Sequence, residues 1–205
     1  MIRVSRRGFL GAALASPLTA AFARRSGEPR VGGAGCVLHE SAAGFGRFLA
    51  AQGSHGILVF PGAAGWDRSI PSRVRDGATV LFESAAGFGD AGAFEAQRAG
   101  IEAAFGLSLE RPVEVWSAAG RPRYVDLLWP ARVKVRDFSS LVPVRGGETI
   151  GALGALPAAA LRRDGAGRFL FLGSPVGPAL WSGDTQARAW LSSVVREAVY
   201  SRAYT

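Results

Sequence analysis

The sequence predicts an α/β fold: one domain, a three-layer sandwich with a mostly parallel sheet and antiparallel additions near the C-terminal half. Three observations lead there. The continuous apolar runs Gly56–Phe60 (GILVF) and Thr79–Phe82 (TVLF) have the length and composition of strands buried on both faces. Helical patterns follow these runs, and strand–helix alternation implies parallel pairing through right-handed crossovers. From Pro112 to Leu172 the pattern changes to closely spaced short strands, which imply antiparallel neighbours. The chain has 205 residues, 28 of them glycine and 11 proline, which suits one loop-rich globular domain with its own core.

The elements follow in order after a linker over residues 24–35. Cys36–His39 is a short strand candidate, and Ala42–Gln52 places Phe45, Phe48 and Leu49 on one helical face. Pro61-Gly62 ends the GILVF strand. A short polar helix or turn is expected around Asp67–Arg75, and Asp76-Gly77 turns the chain into TVLF. Ala91–Gly106 reads as a helix with Phe94, Ile101, Ala104 and Phe105 on one face and Glu95, Arg98 and Glu102 on the other. Gly106 stops it. Strands are expected at Val113–Trp116, Tyr124–Leu128, Val133–Arg136, Thr149–Leu156, Ala158–Arg162 and Arg168–Leu172. Lys134 and Arg136 alternate with Val133 and Val135, so that strand has one wet face. Asp164-Gly165 is a hairpin turn signal. The last helix opens at Asp184, a good N-cap, and its stripe is Ala187, Trp190, Leu191, Val194, Val195 and Ala198.

The first 23 residues read as an address. SRRGFLG at Ser5–Gly11 precedes an apolar run from Phe9 to Ala23 that ends in Ala21-Phe22-Ala23, an A-x-A cleavage pattern. The paired Arg6 and Arg7 resemble a twin-arginine export signal. The resemblance implies the twin-arginine translocation machinery as a partner, transient membrane contact, and a periplasmic or secreted destination. The run is short of the roughly 20 residues a membrane anchor needs.

The formal charge of +8 invites a nucleic-acid reading, but its distribution argues against one. Arg3, Arg6 and Arg7 supply three charges, and Arg24, Arg25 and Arg30 against Glu28 supply two. Three remain on the rest of the chain, with no basic run of five or more. One cysteine, Cys36, excludes an intrachain disulfide. Two histidines 16 apart and one cysteine lack metal-ligand spacing, and neither G-x-G-x-x-G nor a Walker A lysine motif is present, so no metal or cofactor is expected.

One repeat stands out. VLHESAAGFG at 37–46 and VLFESAAGFG at 80–89 match at nine of ten positions. Each copy puts Glu-Ser where a strand hands over to a helix. Two readings stand side by side. Ser or Glu caps the following helix, and small residues allow a tight turn; or Glu40, Ser41, Glu83 and Ser84 gather at the carboxyl end of the sheet, where open α/β sheets bind ligands. A catalytic version would pair Ser84 with His39 and Glu40 or Glu83, or use the Glu40/Glu83 carboxylates. Gly62, in the strand-end loop GAAGW, is an anion-site candidate. Trp66, Trp129 and Trp181 fall in expected loops near Asp67, Arg68 and Asp184, and would offer stacking platforms for a carbohydrate or other small flat ligand. Ser174 completes the set at the end of the RFLFL strand. Trp116 and Trp190 read as core.

GILVFPG at 56–62, TVLFESAAG at 79–87 and GRFLFLGSPVG at 167–177 resemble the class I glutamine amidotransferase-like superfold. The nearest branches in appearance are the trehalose-utilisation-type proteins and the amidotransferase-like domains of some glycosidases. The resemblance spans roughly residues 36–200 and implies a flavodoxin-like sheet. Active members carry a cysteine in G-x-C-x-G at the strand-to-helix elbow and a later histidine. Here the elbow reads Phe82-Glu83-Ser84-Ala85-Ala86-Gly87, and both His39 and His55 precede it. The resemblance therefore implies a domain without the Cys-His-Glu triad, a ligand-binding or accessory protein rather than a glutaminase.

Overall fold

In a computed structural model, residues 43–50, 57–61, 66–84, 91–114, 123–136 and 140–203 are described. The most apolar runs take the centre. β2 (Thr79–Glu83) is buried throughout, and so is β11 (Gly167–Leu172). They pair in parallel, with Leu81 beside Leu170 and Glu83 beside Leu172. β1 (Ile57–Phe60) lies parallel to β2 on its other side.

The remaining strands of the sheet are antiparallel. Its order is β1-β2-β11-β10-β9-β5-β6, with β5 Tyr124–Leu127, β6 Val133–Arg136, β9 Glu148–Leu153 and β10 Leu156–Asp164. Two small ladders flank it: β3 (Ser108–Leu109) with β8 (Val144–Arg145), and β4 (Val113–Glu114) with β7 (Ser140–Leu141). The fold is therefore α/β with a mixed sheet. Among the described residues only β1-β2-β11 is parallel, so the mostly parallel expectation is corrected there; the expected strand at Cys36–His39 lies outside them. The reason is turn length. Gly165-Ala166 joins β10 to β11 and Gly154-Ala155 joins β9 to β10, and a two-residue link can only connect antiparallel neighbours. Gly154, at φ +60°, turns the chain inside the run read from sequence as one strand, Thr149–Leu156.

Helices cover both faces. On one face lie α1 (residues 43–50), α4 (Gly177–Ser182) and α5 (Thr185–Ala203); Phe45, Leu49, Leu180, Trp190 and Leu191 meet Leu81, Leu170 and Leu172. On the other lie α2 (Ile70–Arg75) and α3 (Ala91–Phe105), where Ile70, Val74, Ile101 and Phe105 meet Phe60, Phe82, Phe169 and Phe171. The expected stripe of the last helix, Ala187 to Ala198, is buried at all six positions. Asp184 caps it, its Oδ1 accepting from the backbone N–H of Gln186 at 2.8 Å and of Ala187 at 3.0 Å. The wet-face reading of β6 holds at Lys134, which is exposed while Val133 and Val135 are buried; Arg136 is half-buried. No described helix is long and apolar enough to cross a membrane.

Past the end of β11 the chain squeezes between two backbone carbonyls, one in the β7–β8 connection and one on β10. A Cβ on Gly173 would lie 2.0 Å from the Val142 oxygen and 2.9 Å from the Ala158 oxygen, both backbone atoms. Gly173→Ala should therefore destabilise the protein by about 1–3 kcal/mol through overpacking. An unchanged urea midpoint in that variant would contradict this packing.

Candidate functional site

The carboxyl ends of β2 and β11 lie side by side, and the polar residues there are buried. Glu83 ends β2, and Ser84 follows with its N–H on the Leu172 carbonyl at 2.9 Å, extending the ladder by one rung. Beyond β11 the chain passes Gly173 and Ser174 and enters α4. That short helix has no side-chain cap of its own: Val176 stands at its N-cap position, and a proline occupies the first turn. Its amide hydrogens need an acceptor. Glu83 supplies one from 93 residues away. Its Oε1 accepts from Val176 N–H at 2.7 Å and from Gly177 N–H at 2.8 Å, all within the interior. A carboxylate at a helix N-terminus also suits the helix dipole.

Of the two readings of the repeat, the second copy therefore displays the capping chemistry, on a helix distant in sequence rather than the one that follows it. The copies also meet at α4. Gly44, from the first copy, packs so closely that a Cβ there would lie 2.3 Å from Gly177 O and 2.8 Å from Trp181 N. One copy thus touches the Gly177 carbonyl and the other holds its amide.

The other expected site residues disperse. Ser84 and Ser174 are buried, beside Glu83 and in the β11–α4 connection respectively. Asp67 does local work: its Oδ1 accepts from Ser69 N–H at 2.8 Å on the approach to α2. Trp66 is no solvent-facing platform. Its ring packs against Phe82, Phe105 and Phe169 at centroid distances of 5.9, 6.3 and 6.5 Å, and fits because Gly100 has no side chain in its way. Trp181 lies on α4, not in a loop, and the Arg47 guanidinium covers its ring at 3.9 Å. Trp129 packs on the opposite sheet face from Trp66, with its carbonyl accepting from Trp190 Nε1 at 2.8 Å. The three tryptophans do not share one crevice. His39, Glu40, Ser41 and Gly62 lie outside the described residues, as do Cys36, His55 and Trp116.

Two buried polar residues were not singled out from sequence. Gln97 is fully buried on α3. It stands three residues after Phe94 and four before Ile101, so a polar side chain interrupting the apolar stripe was its signal. Arg168 opens the RFLFL run, and its side chain is 7% exposed. It pairs with Glu197 of α5 at 3.2 Å and lies 5.6 Å from the Trp129 ring, at the amino end of β11 and away from Glu83.

Replacing Glu83 separates bracing from mere proximity. Glu83→Ala strands two buried amide hydrogens and should cost about 2–4 kcal/mol. Glu83→Gln keeps an acceptor and should cost about half as much. Equal melting of Glu83→Ala and the parent in denaturant would remove the brace.

No family model and no curated protein matches the chain. Solved structures do share its fold. The β-galactosidase of Rahnella sp. R3 superposes with a TM-score of 0.55 at 12% identity, over 77% of this chain and 26% of that one. The α-L-fucosidase isoenzyme 2 of Paenibacillus thiaminolyticus gives 0.50 at 11% identity, over 78% of this chain and 29% of that one. The chain thus spans about a quarter of the length of these enzymes, and at such identities the likeness is one of fold.

Proposed function

We propose that this chain is an exported, amidotransferase-like domain that acts as a ligand-binding or accessory module, not as a glutaminase. Its parallel edge, β1-β2-β11, would be the remnant of a flavodoxin-like sheet. The observation that carries the proposal is the Glu83 brace. Where the resembled family places an activated nucleophile on an exposed elbow, this elbow offers a buried carboxylate committed to two backbone amides. Ser84, the alternative nucleophile, is 1% exposed. The shared fold with portions of a β-galactosidase and an α-L-fucosidase supports a carbohydrate-related ligand or partner. The ligand would enter at the carboxyl edge of the sheet, near Glu40, Ser41 and Gly62.

The competing reading is a hydrolase that uses Ser84 with His39, or the Glu40/Glu83 carboxylates. An assay separates the two. The mature protein, offered glutamine, p-nitrophenyl esters and p-nitrophenyl glycosides, should show no turnover above that of Ser84→Ala. Turnover that Ser84→Ala or Glu83→Gln abolishes, with the fold intact by circular dichroism, would overturn the module reading.

Export has its own test. Replacing Arg6 and Arg7 together by lysine should leave the protein unprocessed in the cytoplasm, whereas the parent is recovered shortened and outside it. Equal recovery of both from the periplasm would contradict twin-arginine export.

A further inference from the structure

Far from Glu83, at the β10–β11 hairpin, a second polar feature stands out. β10 runs longer than its neighbour. Its last pairing with β9 is Leu161 opposite Glu148, while its pairing with β11 continues through Arg162, Arg163 and Asp164. A Cβ on Gly147 would lie 2.8 Å from the Leu161 oxygen, so the Leu161 carbonyl points toward the β9 side. Backbone direction alternates along a strand, so the N–H and C=O of Arg163 point to that same side, past the end of β9. Arg162, Arg163 and Asp164 also line a groove of about 240 Å³ together with Ala104, Phe105 and Gly106.

The residues that line the groove carry two arginines and one acid. Arg162 and Arg163 are exposed, and neither guanidinium makes an ion pair or side-chain hydrogen bond with a described residue. The one acid that lines the groove, Asp164, is already engaged with Arg75 at 3.7 Å. Arg163 also stands directly opposite Arg168 in the ladder, and Glu197 compensates the charge of Arg168 only.

From the open edge and its unpaired cations we infer that β10 at Arg162–Asp164 is a docking edge for an extended acidic peptide segment. The segment adds as a short antiparallel or parallel strand, its backbone bonded to Arg163 and two adjacent carboxylates set against Arg162 and Arg163. A second copy of this chain paired edge to edge would bring arginine against arginine. An acidic saccharide would meet the guanidinium groups but leave the backbone pair unused.

The test uses the mature protein and three probes: a capped pentapeptide with two adjacent glutamates, the same peptide N-methylated at both glutamates, and an oligogalacturonate of similar charge. Calorimetry at low salt should detect the first peptide. Binding should weaken about tenfold in the R162S/R163S double variant and stay unchanged in R196S, which removes a charge from α5 instead. The N-methylated peptide should bind at least about tenfold more weakly, because its charge is intact and its backbone donors are gone. Absence of binding, equal affinity for the N-methylated peptide, equal affinity for oligogalacturonate, or equal loss in R196S would each overturn the inference. The exposed arginines can change without disturbing the core, and matching melting curves for parent and double variant verify that.

Discussion

Burying both faces of β2 and β11 is the constraint on which the rest of this structure depends. A strand covered on one face can keep its polar residues wet; these two cannot. Each still carries one ionisable residue, Glu83 at the carboxyl end of β2 and Arg168 near the amino end of β11. Both are satisfied over long sequence separations, Glu83 by the amides that open α4 and Arg168 by Glu197 of α5. Both links tie the sheet to the same helical layer. An unpaired ionisable group at either place would cost several kcal/mol, roughly a large fraction of a typical domain's stability.

The consequence for function is that the carboxyl end of the sheet is partly spent on architecture. In open α/β sheets this edge is the usual ligand crevice. Here α4 is drawn against it by Glu83 on one side and by the glycine contact at Gly44 on the other. The two copies of the repeated segment therefore act as two halves of one clamp around Gly177. Two tryptophans expected from sequence to stack on a ligand are taken up by packing: Trp66 fills the space above Gly100, and Trp181 lies under Arg47. What the fold leaves open instead is the opposite, hairpin end, where β10 outruns β9.

Local chemistry was legible in the sequence wherever one segment could decide it alone. The stripe from Ala187 to Ala198, the Asp184 cap, the Asp164-Gly165 hairpin and the one-sided polarity of β6 depend on neighbours within a few residues, and all stand as read. The strand from Thr149 to Leu156 was misread because Gly154 sits in an apolar run with no polar turn residue beside it. Trp181 is expected in a loop from sequence, but α4 forms there, with a proline well suited to its first turn.

The sequence by itself determined the alternation of strands and helices, the faces each would bury, and an N-terminal segment with the layout of an export signal. These follow from hydrophobic period, capping residues and small-residue patterns that act over a few positions. Only the tertiary structure decided what the polar residues do. Whether Glu83 is a base, a ligand or a cap depends on which amides lie within 3 Å of it, and those belong to Val176 and Gly177. Sheet direction was decided the same way, by which strands became neighbours once the long-range contacts were made.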